Sequence, residues 1–556
     1  MAYLKIYQEW LNEPSLEKDL KEQLKALSKT EIKEAFYQDL KFGTAGARGL
    51  MGVGTNRFNI YTIKRLSLGF AKYIKKVART TNYSVAISYD NRNNSKLFAY
   101  TAARVLASEG IKIFITKTLR PTPYLSYMVR HFGCDGGIMV TASHNPKEYN
   151  GFKVYDSLGG QLVPKLAAIL TQEIEKIKSY FHIQEYRNDV YLHEVGLELD
   201  EAYLALVKEI SLVTNKKKPL KFVYSPLHGA AGSLVEKLLT DLGYNFIPVK
   251  SQMKPDGNFT NAQSSNPGDS LAYSEALEVA KKVNADLILV TDPDGDRLGI
   301  MVKHRDEYLF LNGNQTASLE LFYILSVRKL AGTLPTNGVV YFSNVTTPLI
   351  KDLTEHFNQS AKEVLTGFKF IGEAIENSTK PFLFGAEESY GSLISPFVRD
   401  KDAIQAVLLL VEMATYYHFN GLSLYDVLLD IYKLIGAYSE KTISLTYEGI
   451  TGSRKIKKIM AYFRSNHPAL VSHSLVFAED YLNQLKYENG LTSPLGFPKS
   501  DVLRFVYKPN VTVILRPSGT ESKLKLYLYV KAKNLKTANQ KLLTIEQTIL
   551  KQIKDV

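Results

Sequence analysis

The stretch Gly136-Gly137-Ile138-Met139-Val140-Thr141-Ala142-Ser143-His144-Asn145-Pro146 constrains this chain more than any other. Its first half is a glycine-opened run of β-formers, too short for a helix, and reads as a buried strand. The run breaks into small and polar residues ending in Asn-Pro, a turn signal. Ser143 is thereby carried off a strand onto a loop, beside His144. Ligands collect at the carboxyl ends of strands in α/β sheets, so Ser143 is a candidate covalent nucleophile, with His144 next to it. On this stretch alone, a serine that merely hydrogen-bonds its own turn is the competing reading.

The surroundings repeat the plan. An amphipathic helix carrying Ile63, Leu66, Phe70, Tyr73, Ile74 and Val77 is followed by a strand over 85–89, a helix over 96–108, a strand over 111–115 and a helix over 123–132. Asn150-Gly151 reads as a turn into a return strand over 152–155 that starts with Lys153, and a helical stretch follows over 164–180. A second alternation occupies 220–302, and its strand at 286–290 ends in Asp292-Pro293-Asp294-Gly295-Asp296-Arg297. In a third, the strand at 381–384 ends in Glu387-Glu388-Ser389, and Arg399-Asp400-Lys401-Asp402 opens an apolar helix. From about residue 447 two helices flank strands at 502–507, 511–515 and 524–530, with Arg516-Pro517-Ser518-Gly519-Thr520-Glu521 between the last two. At 556 residues the chain exceeds a single core. The expected class is α/β: three α/β runs with a smaller α+β domain at the C-terminus.

The loops have readable chemistry. Asp292, Asp294 and Asp296 alternate, so an extended segment turns all three toward one hard cation. An EF-hand would need glycine at position six and glutamate at position twelve, which here are Arg297 and Lys303, so Mg²⁺ is the better match. Arg516, Ser518, Gly519 and Thr520 offer a guanidinium fork, hydroxyls and open backbone N–H groups to a phosphate; on spacing alone an ordinary glycine turn fits as well. Glu387 and Ser389 offer acceptors for sugar hydroxyls, or alternatively a helix cap. The glycine-dense loop 42–49 presents the single Arg48 and reads either as an anion cradle or as a flexible turn. His228 reads as a turn-stabilising histidine, with a place in the lining of a cleft as the alternative. A dinucleotide fingerprint is absent.

Composition bounds the other classes, although charge alone does not separate a nucleic-acid binder from a protein that attracts anionic substrates. The net charge of +13 is spread through every segment, without the aromatic-interleaved basic face of a nucleic-acid binder, and can draw anionic substrates to a cleft. No apolar run approaches the roughly 18 residues of a membrane span. The longest, 406–413, contains Glu412. The charged, helical N-terminus is not a signal peptide, and the single cysteine, Cys134, suits packing in a reducing cytoplasm.

Taken in order, Thr141-Ala-Ser-His-Asn-Pro, Asp292-Pro-Asp-Gly-Asp-Arg, the Glu387-Glu-Ser loop and Arg516-Pro-Ser-Gly-Thr-Glu resemble the motifs of the α-D-phosphohexomutase family, the phosphoglucomutases and phosphomannomutases. Gly367-Phe368-Lys369 and Arg399-Asp-Lys-Asp are similar to the branch of phosphoglucomutase-2-type enzymes and phosphopentomutases. The resemblance implies three α/β domains with mixed sheets and a fourth α+β domain around a central cleft, with expected ranges 1–212, 213–325, 326–447 and 448–556. It implies that Ser143 is a phosphoserine whose phosphate joins Asp292, Asp294 and Asp296 in holding Mg²⁺. It further implies that Arg48 and Arg297 neutralise charge, that Lys153 and Lys401 act as acid and base, and that Thr366, Gly367, Phe368, Lys369, Glu387 and Ser389 touch the sugar. Arg516, Ser518, Gly519 and Thr520 would hold the non-reacting phosphate. The lysines are expected to serve as bases through pKa values lowered by neighbouring cations. Ala386 and Pro293 depart from the family pattern, where glycine is common. The implied reaction is interconversion of glucose or mannose 1- and 6-phosphates through a sugar bisphosphate, with glucose 1,6-bisphosphate as activator. A phosphopentomutase and a non-catalytic sugar-phosphate-binding protein are the alternatives. Neither nucleic acid nor membrane is an expected partner, and the sequence leaves monomer and dimer open.

Overall fold

The computed structural model describes residues 2–43, 46–186, 189–214, 217–447, 449–518 and 523–556. The chain forms two compact units, Met1–Thr316 with Phe368–Asn420, and Ala317–Gly367 with Gly421–Val556.

The first unit contains two mixed sheets of one design. The six-stranded sheet runs in the order Ala47–Leu50, Tyr149–Asp156, Gly136–Val140, Ser84–Tyr89, Lys112–Thr116, Leu192–Val195. The last four strands are mutually parallel, and the first two are added antiparallel. The five-stranded sheet runs Glu307–Leu311, Leu298–His304, Leu287–Thr291, Lys221–Ser225, Asn245–Pro248, again with a parallel core and antiparallel additions. Gly136–Val140 and Leu287–Thr291 are buried on both faces, which is why they read as continuous apolar runs. In both sheets the chain leaves the carboxyl end of a parallel strand and returns antiparallel beside it. Those two reversals carry Ser143 and the three aspartates. A third antiparallel hairpin, Phe382–Glu387 with Gly391–Leu393, carries Glu388 and Ser389.

Four local expectations are corrected. Asn150 and Gly151 do not turn; they lie inside Tyr149–Asp156, and the reversal falls at 141–148. Gly151 pairs with Arg48, and a Cβ there would sit 2.3 Å from the Thr141 carbonyl, so the glycine serves close strand approach. Arg48 accordingly lies on the strand Ala47–Leu50 rather than on a loose loop. The helix expected to Tyr180 stops at Lys176. The opening helical stretch divides into Ala2–Asn12, Lys18–Ala26 and Lys29–Phe36. Trp10 packs there against Phe36, Tyr61, Tyr180 and Phe181, with ring centroids 5.2–5.7 Å away. Beside this cluster, buried Arg65 donates to the Ile177 carbonyl and the Tyr180 hydroxyl.

The apolar helix Ala403–His418 is buried on nearly every face. Its one carboxylate, Glu412, is satisfied by the N–H groups of Leu212 (2.9 Å) and Val213 (3.2 Å) and the Ser211 hydroxyl.

In the second unit a seven-stranded antiparallel sheet runs Ala437–Thr446, Lys523–Ala532, Val511–Pro517, Leu503–Lys508, Ser474–Asp480, Leu485–Glu488, Leu491–Pro494. Helices Gly449–Ser465 and Leu535–Asp555 accompany it. Four of these strands are missing from the sequence reading; Leu491–Pro494, exposed throughout, has no buried apolar face to show. The parallel pair Val339–Ser343 and Ser360–Val364 belongs to the same unit. Arg504 joins the two, reaching Glu363 at 2.6 Å and Glu479 at 2.7 Å. Among the described residues no helix is long and apolar enough to cross a membrane.

Candidate active site

Ser143 is buried and lies at φ +53°, in the left-handed region that a serine rarely adopts. Its N–H donates to the Thr141 hydroxyl (2.8 Å), so the turn hydrogen bond is made by the backbone and leaves Oγ for other work. Ser143 Oγ donates to Asp292 Oδ2 at 2.9 Å and lies 3.2 Å from His144 Nδ1.

The aspartates converge as the alternation predicts. Candidate ligand oxygens of Asp292, Asp294 and Asp296 lie within 4.8 Å of one another, and all three residues are buried. The turn is held by the N–H groups of Asp296 and Arg297, each 3.0 Å from Asp292 Oδ1. Thr122 donates its hydroxyl to Asp294 Oδ2 at 3.0 Å. Gly295 has φ +63°, and a Cβ there would strike Pro121 Cβ at 2.7 Å. Asp294 Oδ1 and Asp296 Oδ1 are buried with no hydrogen-bond partner. Buried carboxylate oxygens without a hydrogen bond, facing a cluster of their own kind, are costly unless cations offset them, and an all-oxygen set suits Mg²⁺.

Cations ring the triad. Lys153 Nζ lies 2.7 Å from Asp294 Oδ2 and 3.5 Å from Asp296 Oδ2. Lys401 Nζ lies 2.8 Å from Asp296 Oδ2 and 3.4 Å from Asp400 Oδ1. Arg297 Nε stands 3.6 Å from Asp296 Oδ1, and Arg48 donates to Asn145 Oδ1 at 3.1 Å. Burial and the two adjoining carboxylates push Asp292 well above the usual carboxylate range. Asp294 is as buried, but the Lys153 and Lys401 ammonium groups hold it well below that range. Burial alone would favour a neutral Lys401, yet Asp296, Asp400 and Glu387 outweigh it and raise its pKa. The expected lowering by neighbouring cations is thus reversed at Lys401: its closest partners are carboxylates. Burial lowers the Arg48 guanidinium, and the triad raises that of Arg297.

The remaining sequence candidates divide between the units. In the first, Glu387 is buried at the end of its strand and acts electrostatically on both Arg297 and Lys401. Ser389 lies at the turn of the same hairpin. The Phe368 ring lies 6.0 Å from Lys401 Nζ, while Lys369 lines a cavity of about 200 Å³ with Arg399, Glu373 and Asp156. In the second unit Thr366 donates to Asn344 Oδ1 at 3.1 Å, Gly367 has φ +116°, and Arg516 and Ser518 stand at the end of the strand Val511–Pro517. Gly519 and Thr520 lie outside the described residues.

Sequence reasoning overlooked Arg92, Tyr155 and Thr122. Tyr155 donates to Asp400 Oδ2 at 2.7 Å, beside Lys401. Arg92 gives its guanidinium to the carbonyls of the Ser143 loop. A signal existed for it: Asp90-Asn91-Arg92 also follows a strand at its carboxyl end. His228 does brace turns, its ring meeting the Lys254 carbonyl at 2.8 Å.

Comparison with known proteins agrees with this arrangement. The phosphoglucomutase/phosphomannomutase α/β/α domains I, II and III match residues 39–181, 201–305 and 312–434 in order. The phosphoglucomutase of Staphylococcus aureus strain MSSA476 is 39% identical over 526 residues, 93% of this chain and 94% of its own. Among solved structures, the open form of parafusin, a Paramecium phosphoglucomutase, aligns at 17% identity with a TM-score of 0.68, covering 93% of this chain and 96% of its own. A phosphoglucomutase/phosphomannomutase family protein from Burkholderia thailandensis aligns at 16% identity with a TM-score of 0.67, covering 92% and 97%. These structural likenesses establish the fold. Fold and relatives together define an isomerase that works as a phosphotransferase. The chain belongs to the phosphoglucomutase/phosphomannomutase family, the α-D-phosphohexomutases.

Proposed function

We propose that the protein is a Mg²⁺-dependent phosphoglucomutase/phosphomannomutase that interconverts sugar 1- and 6-phosphates through phospho-Ser143 and a sugar bisphosphate. The observation that carries this reading is the 2.9 Å contact of Ser143 Oγ with Asp292, within a buried triad in which two carboxylate oxygens accept no hydrogen bond. Asp292, Asp294 and Asp296, with the phosphate on Ser143, would hold Mg²⁺, which when bound neutralises charge on the transferring group.

The protein residues do the rest. The Ser143 Oγ–phosphorus bond breaks as a sugar hydroxyl oxygen bonds to phosphorus, and the hydroxyl proton passes to Lys153, the base of the Lys153–Lys401 pair. The bisphosphate turns over in the site. Its other phosphoryl group then bonds to Ser143 Oγ, and the departing sugar oxygen takes a proton from the same pair. Lys401, held protonated by its carboxylate neighbours, fits the acid half of that exchange. Arg48 and Arg297 offset negative charge, and positioning supplies much of the rate. Glu387 and Ser389 read sugar hydroxyls with Thr366, Gly367, Phe368 and Lys369. Arg516 and Ser518, with Gly519 and Thr520, hold the phosphate that is not reacting. Glucose 1,6-bisphosphate would prime an unphosphorylated enzyme. The single buried thiol fits a cytoplasmic setting.

The test is turnover of glucose 1-phosphate by Ser143→Ala with Mg²⁺ and glucose 1,6-bisphosphate. Activity at background is expected, with no phosphorylated protein by intact mass; full turnover would refute the covalent mechanism. Mannose and ribose phosphates assayed alongside rank the sugars.

A further inference from the structure

Four carbonyls of the segment 143–149 end on one side chain. Arg92 Nη1 donates to the Pro146 and Tyr149 carbonyls at 2.9 and 3.1 Å. Its Nη2 donates to the carbonyls of Ser143 and Asn145. The intervening His144 carbonyl accepts from Ser265 Oγ at 2.9 Å. The Arg92 side chain is fully buried, paired at 3.4 Å with Asp90, itself anchored by the Ser95 hydroxyl at 2.7 Å. The Phe259 ring lies 5.3 Å from the guanidinium carbon. Phe259 and Ser265 share the Pro/Gly/Asn-rich segment 254–269, which Asn91 also grips by donating to the Asp256 carbonyl at 2.9 Å.

This cage surrounds a serine held in the left-handed region. A left-handed serine is disfavoured by about 1 kcal/mol or more, and it persists only where its surroundings over-determine it. A guanidinium presents five donors in a rigid fork, so it can bind the carbonyl of the strained residue and those of the residues that follow it together. A lysine has the charge without the fork.

We propose that Arg92, backed by Phe259, is a positioning residue for phosphoryl transfer: it imposes the left-handed conformation that aims Ser143 Oγ at the aspartate triad. It acts through the backbone of the loop and touches neither sugar nor phosphate. The proposal rests on Ser143 being the phosphoryl carrier.

The experiment compares full-length Arg92→Lys, Phe259→Leu and Ser143→Ala, with Arg65→Lys as a buried arginine elsewhere in the same unit. Three quantities are read: kcat and KM for glucose 1-phosphate, the rate of Ser143 phosphorylation by glucose 1,6-bisphosphate from intact mass, and the thermal midpoint. Because displacing a reacting atom by an ångström costs on the order of 100-fold, Arg92→Lys should lose about that factor in kcat and in phosphorylation rate. Its KM should stay close to the wild-type value. Arg65→Lys should lower the thermal midpoint and keep kcat. Phe259→Leu should lower kcat in the same direction, by roughly three- to tenfold, consistent with loss of one cation–π contact. Wild-type kcat in both Arg92→Lys and Phe259→Leu overturns the proposal. If Arg92→Lys does not fold, Phe259→Leu decides alone, and wild-type kcat there overturns it. A rise in KM with kcat unchanged also overturns it. Turnover by Ser143→Ala would refute the proposed function itself, a result the Arg92 variants cannot produce.

Discussion

Ser143 Oγ and Asp292 Oδ2, 149 positions apart in the chain, are 2.9 Å apart in the fold. The hairpins of two different sheets deliver them, each from the carboxyl end of a buried strand. The hydroxyl proposed to carry the phosphoryl group and the carboxylates proposed to hold its counter-ion are thus built by the same local device, used twice.

If the triad holds Mg²⁺, chelation abolishes turnover and added Mg²⁺ restores it. Mg²⁺ also raises the thermal midpoint, because a ligand bound by the native state stabilises it. Asp294→Ala removes both responses. Calorimetric scans with and without Mg²⁺ check this independently of activity.

Gly391 faces the stem of Lys401, and a Cβ there would lie 2.2 Å from Lys401 Cδ. Gly391→Ala therefore displaces the ammonium from Asp296. If Lys401 is an acid–base group as proposed, its loss lowers kcat by about 10²–10⁴-fold, so a partial displacement is expected to cost at least about tenfold. The fold, read by circular dichroism, should be retained.

Asp402 caps the helix Ala403–His418 and accepts from the Tyr203 hydroxyl at 2.7 Å and Gln405 Nε2 at 3.1 Å. Burial pushes its pKa up to about 6 from the ordinary 3.8, against the hydrogen bonds that favour the anion. The folded protein thus binds this proton more tightly than the unfolded chain. Its contribution to stability is fully present below about pH 4 and declines as pH rises to about 6, for a total of about 3 kcal/mol. Urea midpoints of the wild type minus those of Asp402→Asn should fall across that interval and level off above it.

Cys134 is buried and its thiol is pushed up to about 12, chiefly by burial. A thiol reagent should leave the native protein unmodified at pH 8 and label one cysteine once urea unfolds it. Trp10, the single tryptophan, reports the accompanying unfolding by fluorescence.

The sequence by itself determined the pieces whose chemistry is local. Short apolar runs that break into glycine and polar residues mark strand ends, so Ser143, the alternating aspartates and the Glu387 loop were legible, as was the α/β class. A strand exposed at every position, such as Leu491–Pro494, carried no such mark. Only the tertiary structure decided that Arg92 serves the Ser143 loop, that Gly151 permits strand approach, and that Lys401 is held protonated. The physical reason is common to all three. A guanidinium reaching carbonyls 51 to 57 residues away, a backbone contact across a sheet, and a pKa set by Asp296 and Glu387 depend on neighbours brought close by folding. Residue order does not encode those distances.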